Sequence, residues 1–417
     1  MAMTAEIPKP VVVQKYGGSS VADVKKLRQV AERVMRTRNH GYAVVVVVSA
    51  MGDTTDELLA MAKQVSVNPE RRELDMLLSA GERISMALLS MAIRELGGDA
   101  ISLTGSQSGI ITNDRHVDAR IIEVRPFRVQ DALAQGRIVV VAGFQGVSYK
   151  KEVTTLGRGG SDTTAVAMAA ALDAEYCEIC SDVDGVYSAD PRVVPEARRI
   201  AMLSYEETQE MAEAGAKVLN AQAVEFAKSK GIAIYARATD GPLPGSDPSS
   251  DGTVVRKHPP RTPGTVAGVA SERDVLLLES EAPAVDLLTL LDERAVAGKQ
   301  LSVTAGRTTM VIPRDNLHDE ARLREALDSR FLGRARLVDG LAAVSAIGVG
   351  INTTYKNVRA GSDALAAAGI EPSGMATSSF RITWMIPRNN TEEAVRTLHR
   401  RFIESSLPGG SAQPLLP

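Results

Sequence analysis

Between residues 9 and 237, short runs of β-branched apolar residues alternate with longer segments whose apolar positions recur at helical spacing. The short runs predict strands and the longer segments predict helices. Alternation of this kind predicts a mostly parallel sheet covered by helices on both faces. The predicted strands are 11–15, 43–49, 100–103, 138–142, 175–181 and 232–236, and the predicted helices are 21–38, 54–65, 74–96, 128–135, 161–173, 204–214 and 217–230.

The pattern changes after residue 239. Residues 240–263 include six prolines, accompanied by glycines and serines, and this composition is typical of a linker. Shorter strand and helix patterns follow and indicate two small βαβ-type units. We therefore divide the chain into a first domain at 1–239, a linker at 240–263, a second region at 264–407 and a disordered tail at 408–417.

The charge balance narrows the classes of partner. The chain has 48 basic and 51 acidic residues, and its net charge of -3 gives no reason to expect binding to nucleic acid or to an anionic membrane. The N-terminal segment has no apolar signal region, and the longest aliphatic run, 43–48, is too short to cross a bilayer. We expect a cytoplasmic protein.

The C-x-x-C spacing of Cys177 and Cys180 raises a redox or zinc pair as an alternative to inert thiols. Cys177 and Cys180 lie in a predicted strand, where positions i and i+3 face opposite sides of the sheet. We therefore expect two inert, buried thiols. The five histidines are scattered, so neither metal-ligand spacing nor a histidine base is indicated.

Candidate chemistry is concentrated where predicted strands end. The stretch V-V-V-Q-K-Y-G-G-S-S-V at 11–21 places Lys15 and two glycines between a strand and a helix. With Ser20 as the helix N-cap and Asp23 three residues on, the pattern resembles a capping box, whose exposed N–H groups form an anion site. A plain strand-turn-helix remains an alternative. Neither a dinucleotide fingerprint nor a P-loop is present in the sequence.

Two further glycine-rich strand ends favour a phosphate ligand. They are S-A-M-G-D-T-T at 49–55 and T-L-G-R-G-G-S-D-T-T at 155–164. The carboxyl ends of parallel strands share one edge of a sheet, and open α/β sheets bind ligands there. The apparent lack of a general base suits a carboxylate acceptor, since a carboxyl group with a pKa of ~3.9 is already ionised at neutral pH. Phosphoryl transfer to it needs mainly positioning and charge neutralisation.

Seven motifs carry a resemblance to a known family. Together they are similar to aspartate kinase in its actinobacterial form, over about residues 9–238. The resemblance implies an amino-acid-kinase fold followed by two small α+β ACT regulatory domains, and transfer of the γ-phosphoryl of ATP to the side-chain carboxylate of L-aspartate, with Mg²⁺. The motifs are K-Y-G-G-S-S-V, S-A-M-G-D-T-T-D-E-L-L, G-E-R-I-S, T-G-S-Q-S-G, V-A-G-F-Q-G-V, T-T-L-G-R-G-G-S-D-T-T-A-V-A and E-I-C-S-D-V-D-G-V-Y-S-A-D-P-R.

The resemblance also implies roles for single residues at the reacting phosphate. Lys15 looks like the lysine that stabilises the transferring phosphoryl group. Gly17, Gly18 and Ser19 would line the phosphates. Asp162 looks like the carboxylate that orients Lys15, with no need to take a proton.

The amino-acid pocket follows from the same motifs. By resemblance, Arg158 binds the α-carboxylate of the substrate and Glu82 binds its ammonium group. Thr55 lies beside the substrate, and Ser49 and Gly52 belong to the same wall.

The motif S-D-V-D-G-V-Y at 181–187 resembles the nucleotide loop of the family. Beginning at Ser181, it would bring Asp182 near the ribose and Tyr187 near the base. Arg192 and Lys217 match the family's cationic nucleotide contacts. The aspartates of this loop also fit a plain turn.

The C-terminal half departs from the family pattern. Aspartate kinases usually carry a D-x-P-G turn and a Q-N pair that bind the inhibitory amino acid, whereas residues 280–284 read S-E-A-P-A and no Q-N pair follows Gln300. We expect weakened feedback by lysine and threonine and a homo-oligomer formed through the ACT-like region. Two other readings remain open: a kinase for another acidic amino acid, such as glutamate or an N-acylated relative, and a catalytically idle ligand sensor.

Overall fold

The computed structural model describes residues 9–157, 159–216, 219–245, 247–257, 262–294, 296–314, 317 and 319–406. The chain forms two compact units. The first unit contains the chain as far as residue 186, residues 199–212 and residues 217–260, and the second contains residues 187–198, 213–216 and the chain from residue 261. Two short segments within the predicted first domain therefore belong to the second unit.

An eight-stranded sheet forms the centre of the first unit. Its neighbouring strands are all parallel except for one antiparallel pair, β11 with β12. This confirms the predicted mostly parallel sheet. The last strand of this sheet in chain order, β12, comes from the segment predicted to be a linker. In spatial order the strands are Met202–Leu203 (β10), Thr253–Val255 (β12), Ala233–Ala238 (β11), Tyr176–Ser181 (β9), Val11–Tyr16 (β1), Ala43–Val48 (β2), Ile138–Ala142 (β6) and Ala100–Leu103 (β3).

A second, smaller sheet of four strands is formed by residues between 110 and 155. It was not predicted, because its strands are only three or four residues long and carry little apolar periodicity. In spatial order the strands are Ile121–Val124 (β5), Ile110–Thr112 (β4), Gln145–Ser148 (β7) and Val153–Thr155 (β8).

Eight helices accompany these sheets in the described part of the chain. The segment predicted as one helix over 74–96 forms two helices separated by the single residue Ser79, which keeps right-handed helical dihedrals and whose carbonyl accepts a hydrogen bond from the Gln145 side chain at 2.8 Å. The helices are Val24–Asn39 (α1), Thr54–Val65 (α2), Arg71–Leu78 (α3), Ala80–Glu95 (α4), Phe127–Ala134 (α5), Gly160–Ala171 (α6), Tyr205–Glu213 (α7) and Ala221–Lys230 (α8).

The main sheet is buried on both faces. Val12, Val44 and Val46 point to one face and pack in a cluster with residues of α1 and α4. The residues between them point to the other face, where α6 packs on β1, β2 and β9. The helices α3 and α4 together form a stretch, residues 71–95, that is long and apolar enough to cross a membrane, with a mean hydropathy of 1.4 over 18 residues, half of which are buried inside the unit. Buried core helices have the same length and composition, so these properties are weak evidence for a span.

The second unit has a six-stranded antiparallel sheet, in which two α+β halves share the neighbouring strands Gly268–Ser280 (β13) and Ala335–Ile347 (β16). The predicted pair of small units is therefore joined into one continuous sheet. In spatial order the strands are Lys299–Thr304 (β14), Arg307–Pro313 (β15), Gly268–Ser280 (β13), Ala335–Ile347 (β16), Arg381–Pro387 (β18) and Gly374–Thr377 (β17). The helices are Ala284–Glu293 (α9), Glu320–Phe331 (α10), Lys356–Ala367 (α11) and Thr391–Phe402 (α12).

Residues 187–198 form part of the core of this second unit. Val193 and Val194 pack in one cluster with Trp384 and Leu398. Burial of these apolar side chains accounts for the assignment of the segment to the second unit.

Candidate active site

Lys15 and Asp162 form an ion pair at the carboxyl edge of the main sheet. Lys15 is the fifth residue of β1, and Asp162 lies in the first turn of α6. The Lys15 Nζ atom lies 2.7 Å from Asp162 Oδ1, and the two side chains are only 12% and 11% exposed. The sheet and the helix thus fix a cation at the edge where α/β sheets bind ligands.

The glycines around Lys15 let two backbone turns approach each other closely. The N–H of Gly52 donates to the carbonyl of Gly18 at 3.1 Å. A Cβ atom at Gly18 would lie 2.9 Å from the carbonyl oxygen of Gly52 and 3.0 Å from that of Ala50, so no side chain fits there. Gly52 itself has φ +50°, a conformation that favours glycine. The motifs at 15–21 and 49–55 therefore form one wall.

The predicted capping box at Ser20 is wrong. Residues Gly18–Val21 form a short 3₁₀ turn, and α1 begins only at Val24, with Asp23 as the N-cap that accepts from the N–H of Lys26 at 2.8 Å. The hydroxyl of Ser20 instead lies 2.6 Å from that of Thr239. The extra turn separates the glycines from the helix start, and Ser19 is exposed at its surface.

Glu82 is a buried carboxylate with spare hydrogen-bonding capacity. It lies in the first turn of α4 and is 2% exposed. Its Oε1 atom accepts from the N–H of Ala50 at 3.1 Å, whereas Oε2 has no partner among the described residues. Burial raises the pKa of Glu82 to about 7. A cationic group of a ligand would satisfy the second oxygen and stabilise the charged form.

The other predicted pocket residues surround this wall in different ways. Ser49 is half-buried just after β2, and its N–H donates to the carbonyl of Tyr16 at 3.1 Å. Thr55 is half-buried in the first turn of α2. Arg158 lies outside the described residues. Gly157 and Gly159 on either side of it have φ +73° and +71°, so this turn requires glycine at both positions.

The predicted nucleotide loop starts next to β1 and continues into the second unit. Ser181 ends β9, and its hydroxyl accepts from the N–H of Val183 at 3.3 Å, while Asp182 is exposed. Tyr187 and Arg192 belong to the second unit. The Arg192 guanidinium is 86% exposed and lies 2.7 Å from Asp190. Lys217 lies outside the described residues.

Gly143 completes the wall but was not chosen from the sequence as a site residue. It follows β6, and its N–H donates to the carbonyl of Val48 at 3.0 Å. A Cβ atom at this position would lie 2.8 Å from the Ser161 hydroxyl. Gly143 lies in the motif V-A-G-F-Q-G-V, and this position could have identified it as a site residue.

The sequence analysis also missed a buried charged network that links β1, β9 and α1. Glu178 is 0% exposed and lies 2.7 Å from the Arg33 guanidinium, and Gln14 donates to its other oxygen at 2.8 Å. Gln14 immediately precedes Lys15 in β1, so the network supports the strand that carries the catalytic candidate. The polar residue inside an apolar strand was the signal in the sequence.

The two thiols are buried, as predicted from the sequence. Cys177 and Cys180 are free and buried, and burial raises the pKa of both, which keeps them protonated and unreactive. Within the described ranges, no group of three His, Cys, Asp or Glu residues has a metal-binding arrangement.

Comparison with known proteins places this geometry in a family. Residues 10–236 match the profile of the amino acid kinase family, so this range of the chain is a domain of that class. The chain is 46% identical to aspartokinase of Mycolicibacterium smegmatis, with 94% of this chain and 96% of that protein covered. It is 40% identical to aspartokinase of Thermus thermophilus, with 94% and 98% covered. The chain belongs to the aspartokinase family.

A solved structure extends the match to the C-terminal region. Escherichia coli aspartokinase III in complex with aspartate and ADP matches with a TM-score of 0.81 at 25% identity, covering 94% of this chain and 99% of that chain. The predicted fold, an amino-acid-kinase domain followed by an ACT-type regulatory region, is confirmed.

Proposed function

We propose that this chain transfers the γ-phosphoryl group of ATP to the side-chain carboxylate of L-aspartate and forms 4-phospho-L-aspartate and ADP. The observation that carries the proposal is the Lys15–Asp162 ion pair, which lies at the same sheet edge as the buried, half-satisfied carboxylate of Glu82. The first is suited to a transferring phosphoryl group, and the second is suited to the ammonium group of an amino acid.

Lys15 acts on the reacting phosphate. A carboxylate oxygen of aspartate attacks the γ-phosphorus while the bond to the β,γ-bridging oxygen breaks, and the electrons of that bond leave with ADP. The acceptor is already ionised at neutral pH, so no proton has to be removed. The ammonium of Lys15 neutralises charge on the phosphoryl oxygens, and Asp162 holds that ammonium in place. Gly17, Gly18 and Ser19 line the phosphates.

The amino-acid end of the substrate binds to the second group of residues. Glu82 accepts from the substrate ammonium, which restores a partner to its buried Oε2 atom. Arg158 binds the α-carboxylate through a bidentate pair. Ser49, Gly52 and Thr55 form the adjoining wall.

ATP is bound by the loop that begins at Ser181. Within the first unit, Asp182 contacts the ribose and Lys217 contacts the phosphates. We expect Mg²⁺ to accompany ATP, since this ion is usually held by substrate phosphates and water and by only one or two carboxylates. When bound, this ion would neutralise charge on the β- and γ-phosphates.

The ACT-type region of the second unit is the part of the chain that we expect to form contacts between subunits. We propose a homo-oligomer that associates through the ACT-type region and acts in the cytoplasm. Some relatives pair the full chain with a small subunit from an internal start, but no methionine occurs between Met211 and Met310. Denaturing electrophoresis of the purified protein should therefore show a single polypeptide, and light scattering should give a multiple of its mass. A co-purifying fragment that begins near residue 250 would contradict this.

The activity is tested by measuring acyl phosphate formation with several phosphoryl acceptors. Purified protein with ATP and Mg²⁺ is incubated with aspartate, glutamate or N-acetylaspartate, and the acyl phosphate is trapped as a hydroxamate. We expect turnover with aspartate and little with N-acetylaspartate, which offers Glu82 no cation. Preferential turnover of glutamate or the N-acyl compound would establish another acidic amino acid as substrate, and no turnover with any acceptor would support a ligand sensor.

A further inference from the structure

A single buried carboxylate joins three segments of the first unit that are distant in sequence. Asp75, in α3, is 0% exposed. Its Oδ1 atom accepts from the Thr155 hydroxyl at 2.6 Å and from the N–H of Val117 at 3.0 Å. Its Oδ2 atom lies 2.5 Å from Nδ1 of His116. Neither the proposed reaction nor the family motifs assign a role to this network.

One of these contacts holds a residue in a strained conformation. Val117 has φ +71°, in the left-handed region, which a β-branched residue rarely adopts. Its N–H is the group that Asp75 binds. Residues in such conformations persist only where their surroundings hold them, and they are concentrated at functional sites. Asp75 therefore fixes a loop that would otherwise relax.

The fixed loop packs against the turn that carries Arg158. The N–H of Ala119 donates to the carbonyl of Thr155 at 2.9 Å. A Cβ atom at Gly157 would lie 3.2 Å from Asp118 Oδ1 and 3.5 Å from the carbonyl oxygen of Val117. The strand before Arg158 and the glycine next to it thus both contact the loop that Asp75 holds.

The other end of the network leads to Glu82. Helix α3, which carries Asp75, ends one residue before Ser79, and α4 with Glu82 in its first turn follows directly. The Ser79 carbonyl is itself fixed by Gln145 at 2.8 Å. Asp75 thus ties the helix that leads to the ammonium-binding residue to the strand that leads to the carboxylate-binding residue.

We propose that Asp75 is a positioning residue for the amino-acid pocket. Without contact to the substrate, it sets the distance between Glu82 and the turn of Arg158 through His116, Val117 and Thr155. The inference rests on the proposed function, since it assumes that these two residues bind the two ends of an amino acid. The hydrogen bonds of Asp75 reach none of the residues assigned to ATP, so its effect falls on the amino-acid substrate.

The test separates positioning from a general loss of stability. Asp75→Asn keeps the size of the side chain but removes the charge, and Thr155→Val removes one donor at the other end of the network. Each variant of the full-length enzyme is assayed for the KM of aspartate, the KM of ATP and kcat, together with its melting temperature. We expect the aspartate KM to rise at least about tenfold in Asp75→Asn and less in Thr155→Val, since small misplacements of binding groups have large effects. The KM of ATP should change less than about twofold.

Glu207→Gln is the matched control. Glu207 is also 0% exposed and lies in the same unit, where it accepts from the N–H of Ser204 at 3.0 Å. We expect it to lower the melting temperature without changing the aspartate KM. An unchanged aspartate KM in both network variants, a parallel rise in the ATP KM, or an equal rise in the control would each overturn the inference. Absence of aspartate-dependent turnover in the wild type would instead overturn the proposed function, and this inference with it.

Discussion

Lys15 Nζ and Asp162 Oδ1 are 2.7 Å apart at the end of β1, and both side chains are almost entirely shielded from solvent. A shielded ammonium group acts more strongly on a neighbouring phosphate than an exposed one would, because water screens it less. Within the described residues, the Asp162 carboxylate pairs with this ammonium group and fixes its position.

Asp162→Asn should lower kcat while leaving binding of both substrates largely intact. The amide keeps the shape of the side chain, but it no longer attracts the ammonium of Lys15 as a charge. We expect a loss of about 10- to 100-fold in kcat, since a displaced catalytic group acts less in the transition state. Steady-state kinetics at saturating ATP and aspartate measure this directly. A variant with unchanged kcat and a raised KM would show that Asp162 serves substrate binding.

Aspartate affinity should depend on pH through Glu82. Its pKa in the free protein is raised by burial to about 7, and the substrate ammonium requires the ionised form. Affinity should therefore fall as the pH drops through that value, by about tenfold between pH 8 and pH 6 for one proton with this pKa. Calorimetry of aspartate binding without nucleotide avoids the titration of ATP in the same range.

Glu82→Gln is the control for this pH dependence. The amide cannot ionise, so its aspartate affinity should be low and nearly constant between pH 6 and pH 8. The same pH dependence in Glu82→Gln as in the wild type would assign the titration to another group.

Removing Glu178 should destabilise the first unit. Its carboxylate is completely buried against Arg33, so Glu178→Ala leaves a buried guanidinium without its counter-charge. Loss of one partner from such a pair costs about 3–5 kcal/mol. Asp99→Ala is the matched control, because Asp99 is 50% exposed in its pair with Arg94 and surface pairs contribute only about 0–1 kcal/mol. Urea unfolding followed by circular dichroism compares the two, and equal midpoints would refute the role given to the buried network.

Feedback inhibition by lysine and threonine should be weak. An inhibitor can favour an inactive state only through tighter binding to that state. In the family, the groups that bind it lie in the D-x-P-G turn and the Q-N pair, whereas here Glu281 and Ala284 occupy the turn, and Ala284 is the first residue of α9. Loss of two or three polar contacts at about 1 kcal/mol each weakens binding by about 10²-fold.

Titration of the active enzyme with lysine and threonine, singly and together, measures this sensitivity. We expect nearly full activity at several-millimolar concentrations of either amino acid, and half-inhibition at submillimolar concentration would contradict the prediction.

The main sheet was predictable from the sequence because its strands are buried on both faces. Such strands read as unbroken β-branched runs, and β6 has the predicted bounds 138–142. The strand β12 was not predicted, because its three residues lie within a proline-rich segment and its partners, β10 and β11, are distant in sequence or antiparallel to it. The same reason explains residues 187–198, whose core contacts lie about two hundred positions further along the chain.

The site was predictable where its chemistry lies within a motif. Lys15, the glycines and Asp162 could be chosen because each lies in a short, distinctive stretch. Asp75 could not, since in R-R-E-L-D-M-L-L it looks like a residue on a solvated helix face, and its partner Thr155 is 80 residues away. Ser20 was misassigned because the 3₁₀ turn that displaces it from the helix has no clear sequence signal.

The most direct test of the account is the rate of phosphoryl transfer by Lys15→Ala. Aspartate-dependent ADP release and hydroxamate formation are measured at saturating ATP, Mg²⁺ and aspartate, beside Lys63→Ala, which removes an exposed lysine from the last turn of α2. If Lys15 stabilises the transferring phosphoryl group, its variant loses at least about 10²-fold in kcat, whereas Lys63→Ala keeps the wild-type rate. Retention of most of the turnover by Lys15→Ala would contradict the proposed mechanism.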